Sequence, residues 1–434
     1  MVDKYVMPIP IDMFDIENII HSGKNINLTH FYEVLSATNE KFKEDYIYYP
    51  YLVTMYDFSI ISAIEQFNHA NSFKDIKEIY DTQNKRYIYC NYRKKKCKET
   101  SIKIAAINSI GKNIYGVSVG DSKKDKLSIA LANVKLNHKN FEKLIKGQPN
   151  RSYERYRDVS ILVNNAIEEK ADMLIMPESF IPFEWLPTLA RTCAKNCLAI
   201  VTGVEHILFK DKVFNLTAVI LPYKEKEHRC ANISFHLKTH YAPNEKSEIH
   251  GYNFKEIEGN IHELYKWNDC YFPVYCCYEL ASIKDRALFQ SYADFLIAIE
   301  WNRDVNYYSN ILESLSRDIH CYCIQVNSSD YGDSRVTKPS KTEEKDMIRT
   351  KGGKNSTILI ETIDISVLRN FQIKNYELQK NNYHFKTTPP NFESEIVMKK
   401  IKGKDIIATQ NFDPKTDPKT LHTVRKLTNI KIKK

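Results

Sequence analysis

The sequence predicts a layered α/β domain in the central part of a 434-residue chain, and three observations carry that expectation. From about residue 125 to about 372, apolar runs of strand length alternate with stretches of helical periodicity, a pattern that specifies sheets covered by helices. Several of those runs stop abruptly at a charged or nucleophilic residue, as buried strands do where they meet a loop. Hydrophobic residues make up 43% of the chain and aromatics 12%, enough for a substantial packed core.

In chain order, residues 1–26 are extended and proline-punctuated. From 27 to about 81, Leu28, Phe31, Tyr32 and Leu35 recur at three- and four-residue spacing behind a cap at Asn27 or Thr29, and 58–67 and 73–80 repeat the pattern. Residues 85–98 hold seven Lys/Arg, no acid and three interleaved tyrosines. Such a run can contact phosphates and bases or serve as a solvated linker. A hairpin follows at 101–118 around Gly111-Lys112-Asn113. These features define a mainly helical N-terminal region over 1–124.

The central domain opens with an apolar strand at 127–134. A helix over 152–170 follows, with Tyr156, Val159, Leu162 and Ala166 on one face, and then a strand at 171–176. Further strands are expected at 198–204, 217–221 and 234–237, in the run from Phe272 to Cys276, and at 295–299, 321–326 and 356–361. Beyond 372 apolar anchors are few, and the repeated Asp413-Pro414-Lys415-Thr416-Asp417-Pro418-Lys419-Thr420 reads as a turn-rich linker. Residues 398–434 carry eleven Lys/Arg against three Asp, so this basic extension holds nearly all of the net charge of +9. Segments 85–98 and 398–434 are the places for nucleic acid or an acidic partner to bind.

The first residues lack the basic-then-apolar layout of a signal peptide, and no apolar run approaches the length of a membrane span. The ten cysteines form no Cys-x-x-Cys pair and no Cys/His array with zinc spacing. Many thiols without a disulfide framework suit a reducing compartment, and a cytoplasmic protein with no membrane contact is expected.

Three strand ends carry groups that could do chemistry. Glu178 follows the apolar run ending at Met176-Pro177. Lys238 ends the strand at 234–237, with Glu245 seven residues on. Cys277 follows Phe272-Pro273-Val274-Tyr275-Cys276 and precedes Tyr278-Glu279. A carboxylate that takes the thiol proton, a thiolate that attacks a carbonyl and an ammonium that holds the oxyanion would together make a nucleophilic catalyst. Taken alone, Cys277 reads equally as a small buried hydrophobe. Cys276 is assigned to packing, because neighbouring strand residues face opposite ways.

Pro177-Glu178, then Lys238-Thr239-His240-Tyr241 with Pro243 and Glu245, then Cys277-Tyr278-Glu279, in that order and 60 and 39 residues apart, resemble the nitrilase (carbon–nitrogen hydrolase) superfamily. Gly332-Asp333-Ser334 with Lys338-Pro339, and Glu361-Thr362-Ile363-Asp364-Ile365 before Leu368-Arg369, extend the resemblance over about 125–372. It implies an αββα sandwich that pairs into a dimer or higher homo-oligomer. It also implies hydrolysis of a small amide, or of a nitrile, through a cysteine thioester. Carried over, Cys277 is the nucleophile, Glu178 the general base, Lys238 the oxyanion-binding cation and Glu245 the second, positioning glutamate. The main-chain N–H of Tyr278 completes the oxyanion hole, and Trp301 lines the pocket. No metal and no organic cofactor is implied. Pro243-Asn244 before Glu245, and Arg317-Asp318-Ile319-His320-Cys321 downstream, depart from the usual motifs in segments that shape the substrate pocket. A second expectation belongs to another class: a nitrilase-like module of a bacterial anti-phage defence system, acting mainly in assembly with a partner or nucleic acid.

Overall fold

The computed structural model describes residues 102–407 apart from 108–109, 112–113, 147, 210 and 226–227. The helices expected over 27–81, the basic run 85–98 and the tail beyond 407 lie outside the described residues. In chain order the strands are β1 (Ile102–Ala106), β2 (Ile114–Val119), β3 (Lys126–Asn133), β4 (Met173–Ile175), β5 (Ala199–Gly203), β6 (Ile207–Phe209), β7 (Lys212–Phe214), β8 (Leu216–Glu225) and β9 (His228–Leu237). They continue as β10 (Lys255–Glu256), β11 (His262–Trp267), β12 (Cys270–Cys276), β13 (Phe295–Ile299), β14 (Tyr322–Val326), β15 (Ser334–Thr337), β16 (Asp346–Thr350) and β17 (Thr357–Asp364). The α-helices are α1 (His138–Ile145), α2 (Tyr153–Glu168), α3 (Leu186–Asn196), α4 (Pro243–Gly251), α5 (Ile283–Ala287), α6 (Val305–Leu315), α7 (Ile365–Gln372), α8 (Tyr376–Lys380) and α9 (Ser394–Ile401).

Two large sheets result, one in the order β17-β3-β4-β5-β8-β9 and one in the order β1-β2-β11-β12-β13-β14-β15-β16. Their centres are parallel: β4 lies between β3 and β5, and β13 between β12 and β14. Parallel strands are covered on both faces, which is why β3 and β13 read as continuous apolar runs rather than alternating ones.

Side-chain alternation along β3 sets the layers. Leu127, Ile129 and Leu131 meet Val119, Phe272, Val274 and Ile297 of the other sheet in one buried cluster. Ala130 and Ala132 point the other way, beneath Val159, Leu162 and Val163 of α2. On the far face of the second sheet, Tyr275, Leu296 and Ala298 lie under Tyr308, Leu312 and Leu315 of α6. The order is helix, sheet, sheet, helix, which is an αββα sandwich. Phe272 and Phe295 stack at 4.7 Å between the sheets, and burying a side chain of that size contributes about 1.5–3 kcal/mol.

Helix α2 begins where Ser152 Oγ accepts from the Arg155 N–H at 3.2 Å and buries Val159, Leu162, Val163 and Ala166. Strands β8 and β9 run longer than the expected 217–221 and 234–237. Their polar ends pair in register, Lys224 with Arg229 and Glu225 with His228, where the charge pattern alone reads as loop.

Two boundaries differ from the sequence expectation. The hairpin β1–β2 belongs to the eight-stranded sheet, because β2 pairs in parallel with β11 over Ile114–Val119. It is part of the sandwich and not of a separate N-terminal region. At the other end, residues 373–407 are docked: Ile396, Ile406 and Ile407 join the cluster under the second sheet. Lys400, counted among the basic-tail charges, is buried and donates to Asp294 Oδ1 (2.9 Å) and to Tyr292 O (3.0 Å). Arg369 adds two bonds to the same carboxylate, at 2.9 and 2.6 Å. Burial opposes ionisation of Asp294, but the two cations outweigh it and hold its pKa at about 2.

Candidate active site

Glu178, Lys238 and Cys277 each lie just beyond the end of a strand. β4 gives way to Met176-Pro177, and Glu178 follows with its side chain buried. Pro177 has no N–H for the ladder, but its carbonyl accepts from Gly203 N at 3.1 Å. Lys238 follows β9 and is 1% exposed; its N–H donates to Asn215 O at 3.0 Å. Glu245 is the third residue of α4, and the Ala242 N–H donates to its Oε2 at 3.4 Å. Cys277 is the first residue beyond β12, buried, with φ +49°. That left-handed conformation is unfavourable for a side chain with a Cβ, and such outliers cluster at functional sites.

The structure brings these residues together. Lys238 Nζ donates to Glu178 Oε1 at 2.8 Å and to Glu245 Oε2 at 2.7 Å. Glu279 ties the thiol's strand to the lysine's: it accepts from Cys276 N at 2.6 Å, and from Thr239 N and Oγ1 at 2.5 and 3.0 Å. The exits of β9 and β12 are thereby locked side by side, and Cys277 lies in the electrostatic reach of Glu178, Lys238, Glu300 and Glu245. Trp301 contributes through its main chain, its N–H donating to Glu178 Oε2 at 3.2 Å. Its ring, half-buried, sits 5.9 Å from Phe141 and 6.1 Å from His138. Tyr278 is half-buried in the turn Cys277–Ala281, and its main-chain N–H lies at the start of that turn, where helical N–H groups have no intrahelical acceptor.

Burial works against the Lys238 ammonium, but Glu178 and Glu245 outweigh it and hold its pKa well above the usual lysine value. Burial likewise opposes the Glu245 carboxylate, and Lys238 with His206 brings its pKa well below the usual range. Burial pushes the Cys277 thiol well up; Glu178 adds to the rise and Lys238 offsets only part of it. The thiol therefore keeps its proton at rest. The neighbouring lysine does not reverse this, because its charge is already committed to two carboxylates.

Four residues outside the sequence candidates complete the site. Asn215 Nδ2 donates to Glu178 Oε1 (2.8 Å) and Glu245 Oε1 (3.0 Å). His206 Nε2 bonds Glu245 Oε1 at 3.0 Å, with Ser179 Oγ on its Nδ1 at 3.2 Å. His236 lies between Glu263 and Glu279, at 2.7 and 3.0 Å. Burial opposes its charge, but those carboxylates raise its pKa well above the usual histidine value. Glu279 in turn is held at about 2, because His236 and two backbone N–H groups outweigh its burial. The sequence signal for Asn215 was its place as a lone amide in the apolar run Val213-Phe214-Asn215-Leu216. Glu279 lay inside the Cys-Tyr-Glu motif. Nothing local marked His206 or His236 as more than ordinary histidines. Among the described residues, no cluster of three His, Cys, Asp or Glu could hold a metal. All eight described cysteines are free thiols, and no described helix is long and apolar enough to cross a membrane.

No family model and no curated protein matches the chain. Solved structures do. A CN-hydrolase superfamily protein from Xanthomonas campestris, with an arsenic adduct in its active site, has 13% identity and a TM-score of 0.41 over 60% of this chain and 99% of its own. The amidase from Nesterenkonia sp. gives 13% and 0.40, over 60% and 98%. A variant of the amidase from Nesterenkonia sp. AN1, carrying the acetamide moiety of fluoroacetamide on its active-site cysteine, gives 12% and 0.41, over 60% and 99%. At those TM-scores the likeness lends no weight to a chemical assignment, which rests on the site's own geometry.

Proposed function

We propose that the protein is a hydrolase of nitrilase type, acting on a non-peptide carbon–nitrogen bond, an amide rather than a nitrile. The observation that carries the reading is the buried Glu178–Lys238–Glu245 cluster, locked through Glu279 to the strand exit that presents Cys277.

The roles follow from the hydrogen-bond inventory. An ammonium has three N–H bonds; two of Lys238's go to carboxylates, leaving one for a developing oxyanion. Cys277 Sγ attacks the amide carbonyl as its proton passes to Glu178, so charge develops on the carbonyl oxygen and never persists on a buried thiolate. The oxyanion takes the third Lys238 N–H and the main-chain N–H of Tyr278. Collapse breaks the C–N bond, and the amine or ammonia leaves with the proton from Glu178. Glu178 then deprotonates a water that attacks the thioester; the C–S bond breaks, and Glu178 gives that proton to the departing Cys277 sulfur. Glu245 supplies the second negative charge that keeps Lys238 ionised, and Trp301 closes one wall of the pocket.

The test is ammonia release from a panel of small aliphatic and aromatic amides and nitriles by the full chain, Cys277→Ala and Glu178→Gln. The reading expects release from at least one amide by the parent and none above buffer from either variant. Release that survives in Cys277→Ala, or a parent silent across the panel, would overturn it.

A further inference from the structure

Glu178 is the proposed base, and its two oxygens are not equivalent. Oε1 accepts from Lys238 Nζ at 2.8 Å and from Asn215 Nδ2 at 2.8 Å; among the described residues Oε2 accepts only the longer bond from the Trp301 N–H at 3.2 Å. A carboxylate oxygen already holding two strong donors is the poorer proton acceptor, because each donor stabilises the lone pairs a proton would take. Resting on the hydrolase reading, we propose that Asn215 is a positioning residue. It occupies Oε1, so that Oε2 is the atom that takes the Cys277 proton and later returns it to the leaving nitrogen.

The geometry around Asn215 is built for that task. The residue is fully buried just ahead of β8, its backbone N–H donates to Tyr241 Oη at 2.9 Å, and its carbonyl accepts from Lys238 N at 3.0 Å. Its amide orientation is settled by its neighbours: turned over, Oδ1 would face two carboxylate oxygens. As placed, Nδ2 spends one hydrogen on Glu178 and the other on Glu245, while Oδ1 faces Cys276 Sγ at 4.0 Å. The Lys238 ammonium is shared by these two carboxylates, and the His206 ring bonds Glu245 Oε1. A neutral double donor holds both aligned without adding a further cation that would compete for the oxyanion. An amide does not titrate, so the clamp holds through every protonation state of the cycle.

The experiment is the pH dependence of Cys277 alkylation by iodoacetamide in the full chain, mapped by mass spectrometry, for the parent, Asn215→Leu and Asn215→Asp. Exposed Cys197 is the internal reference, and melting temperature reports folding. Leucine keeps the shape and removes both donors; aspartate keeps the shape and adds a third carboxyl. The proposal expects Cys277 alkylation to fall about tenfold to a hundredfold in both, the range for losing a hydrogen bond to a charged group. It also expects the acidic limb of the profile to move to higher pH, since the ionised base has lost a donor. A merely structural amide would lower the melting temperature and leave that limb in place. If the parent's Cys277 outpaces Cys197 and folded Asn215 variants keep both rate and limb, the inference is wrong while the hydrolase reading stands. If the parent's Cys277 shows no advantage over Cys197, the hydrolase reading fails and takes this one with it.

Discussion

Replacing Lys238 by methionine removes the cation and keeps most of the side chain's length. The structure sets the size of the effect. Glu178 and Glu245 each lose a charge-assisted bond, of 2.8 and 2.7 Å, in a place where the lysine itself is 1% exposed. Glu178 keeps Asn215 and the Trp301 N–H; Glu245 keeps Asn215 and His206. Removing one partner of a buried ion pair costs about 3–5 kcal/mol, and here two carboxylates are left facing one another. The folded variant relieves that by binding a proton, so the penalty depends on pH. In the parent, Glu245 has its folded pKa below the unfolded one, so its stabilisation is present above about pH 4.5 and is lost as the pH falls. In the variant, one carboxyl has its folded pKa above the unfolded one, so stability declines as pH rises from about 4.5, at up to about 1.4 kcal/mol per pH unit. Urea unfolding followed by tryptophan fluorescence should give a difference of about 1–2 kcal/mol at pH 5, growing to about 3–5 kcal/mol at pH 8. A difference under about 1 kcal/mol at pH 8, or one equal at the two pH values, would refute the shared-cation account.

Three further perturbations follow from other parts of the molecule. Burial pushes the Glu300 carboxyl up to about 8, helped by Glu178 and Asp333 against the hydrogen bond from Gln325. Because that folded pKa lies above the unfolded one, the parent loses stability between about pH 4.5 and 8. Glu300→Gln should abolish that slope and be more stable near pH 8 by roughly 1–3 kcal/mol in the same urea assay. A Cβ at Gly203 would overlap Ser179 N and the Glu178 backbone. Gly203→Ala should therefore cost about 1–3 kcal/mol and slow Cys277 alkylation at least tenfold in the protein that still folds. Lys400→Ala strips an anchor from α9 and leaves Asp294 with Arg369 and the Tyr271 N–H. Limited proteolysis should then cut within 394–407 faster than in the parent, with bonds in β3 unchanged.

What was legible in the sequence was whatever a single strand and its exit could encode. Glu178, Lys238 and Cys277 each announce themselves as a reactive group closing an apolar run, and Glu245 as a glutamate seven residues past Lys238. Hydrogen-bond partners across strands were not legible, because Asn215 reaches Glu178 and Glu245 from 37 and 30 residues away and no local pattern encodes such a meeting. The same limit hid the β2–β11 pairing, in which strands separated by most of the first sheet lie in parallel register. Lys400 misled for a different reason. A lysine-rich stretch normally marks a solvated face, and the burial of this one depends on Asp294, more than a hundred residues upstream. The resting state of Cys277 was also out of reach, since it is set by a balance between burial and charges contributed by several strands.

The central claim is that Cys277 is a nucleophile served by Glu178. The most direct measurement is the rate of iodoacetamide labelling of Cys277 relative to Cys197, near neutral pH, in the full chain and in Glu178→Gln. Cys197 is exposed and Cys277 buried, so without a catalytic base Cys197 reacts first. The account predicts that Cys277 reacts faster in the parent and loses that lead in Glu178→Gln. A parent in which Cys197 leads, or a Glu178→Gln variant in which Cys277 keeps its lead, would contradict it.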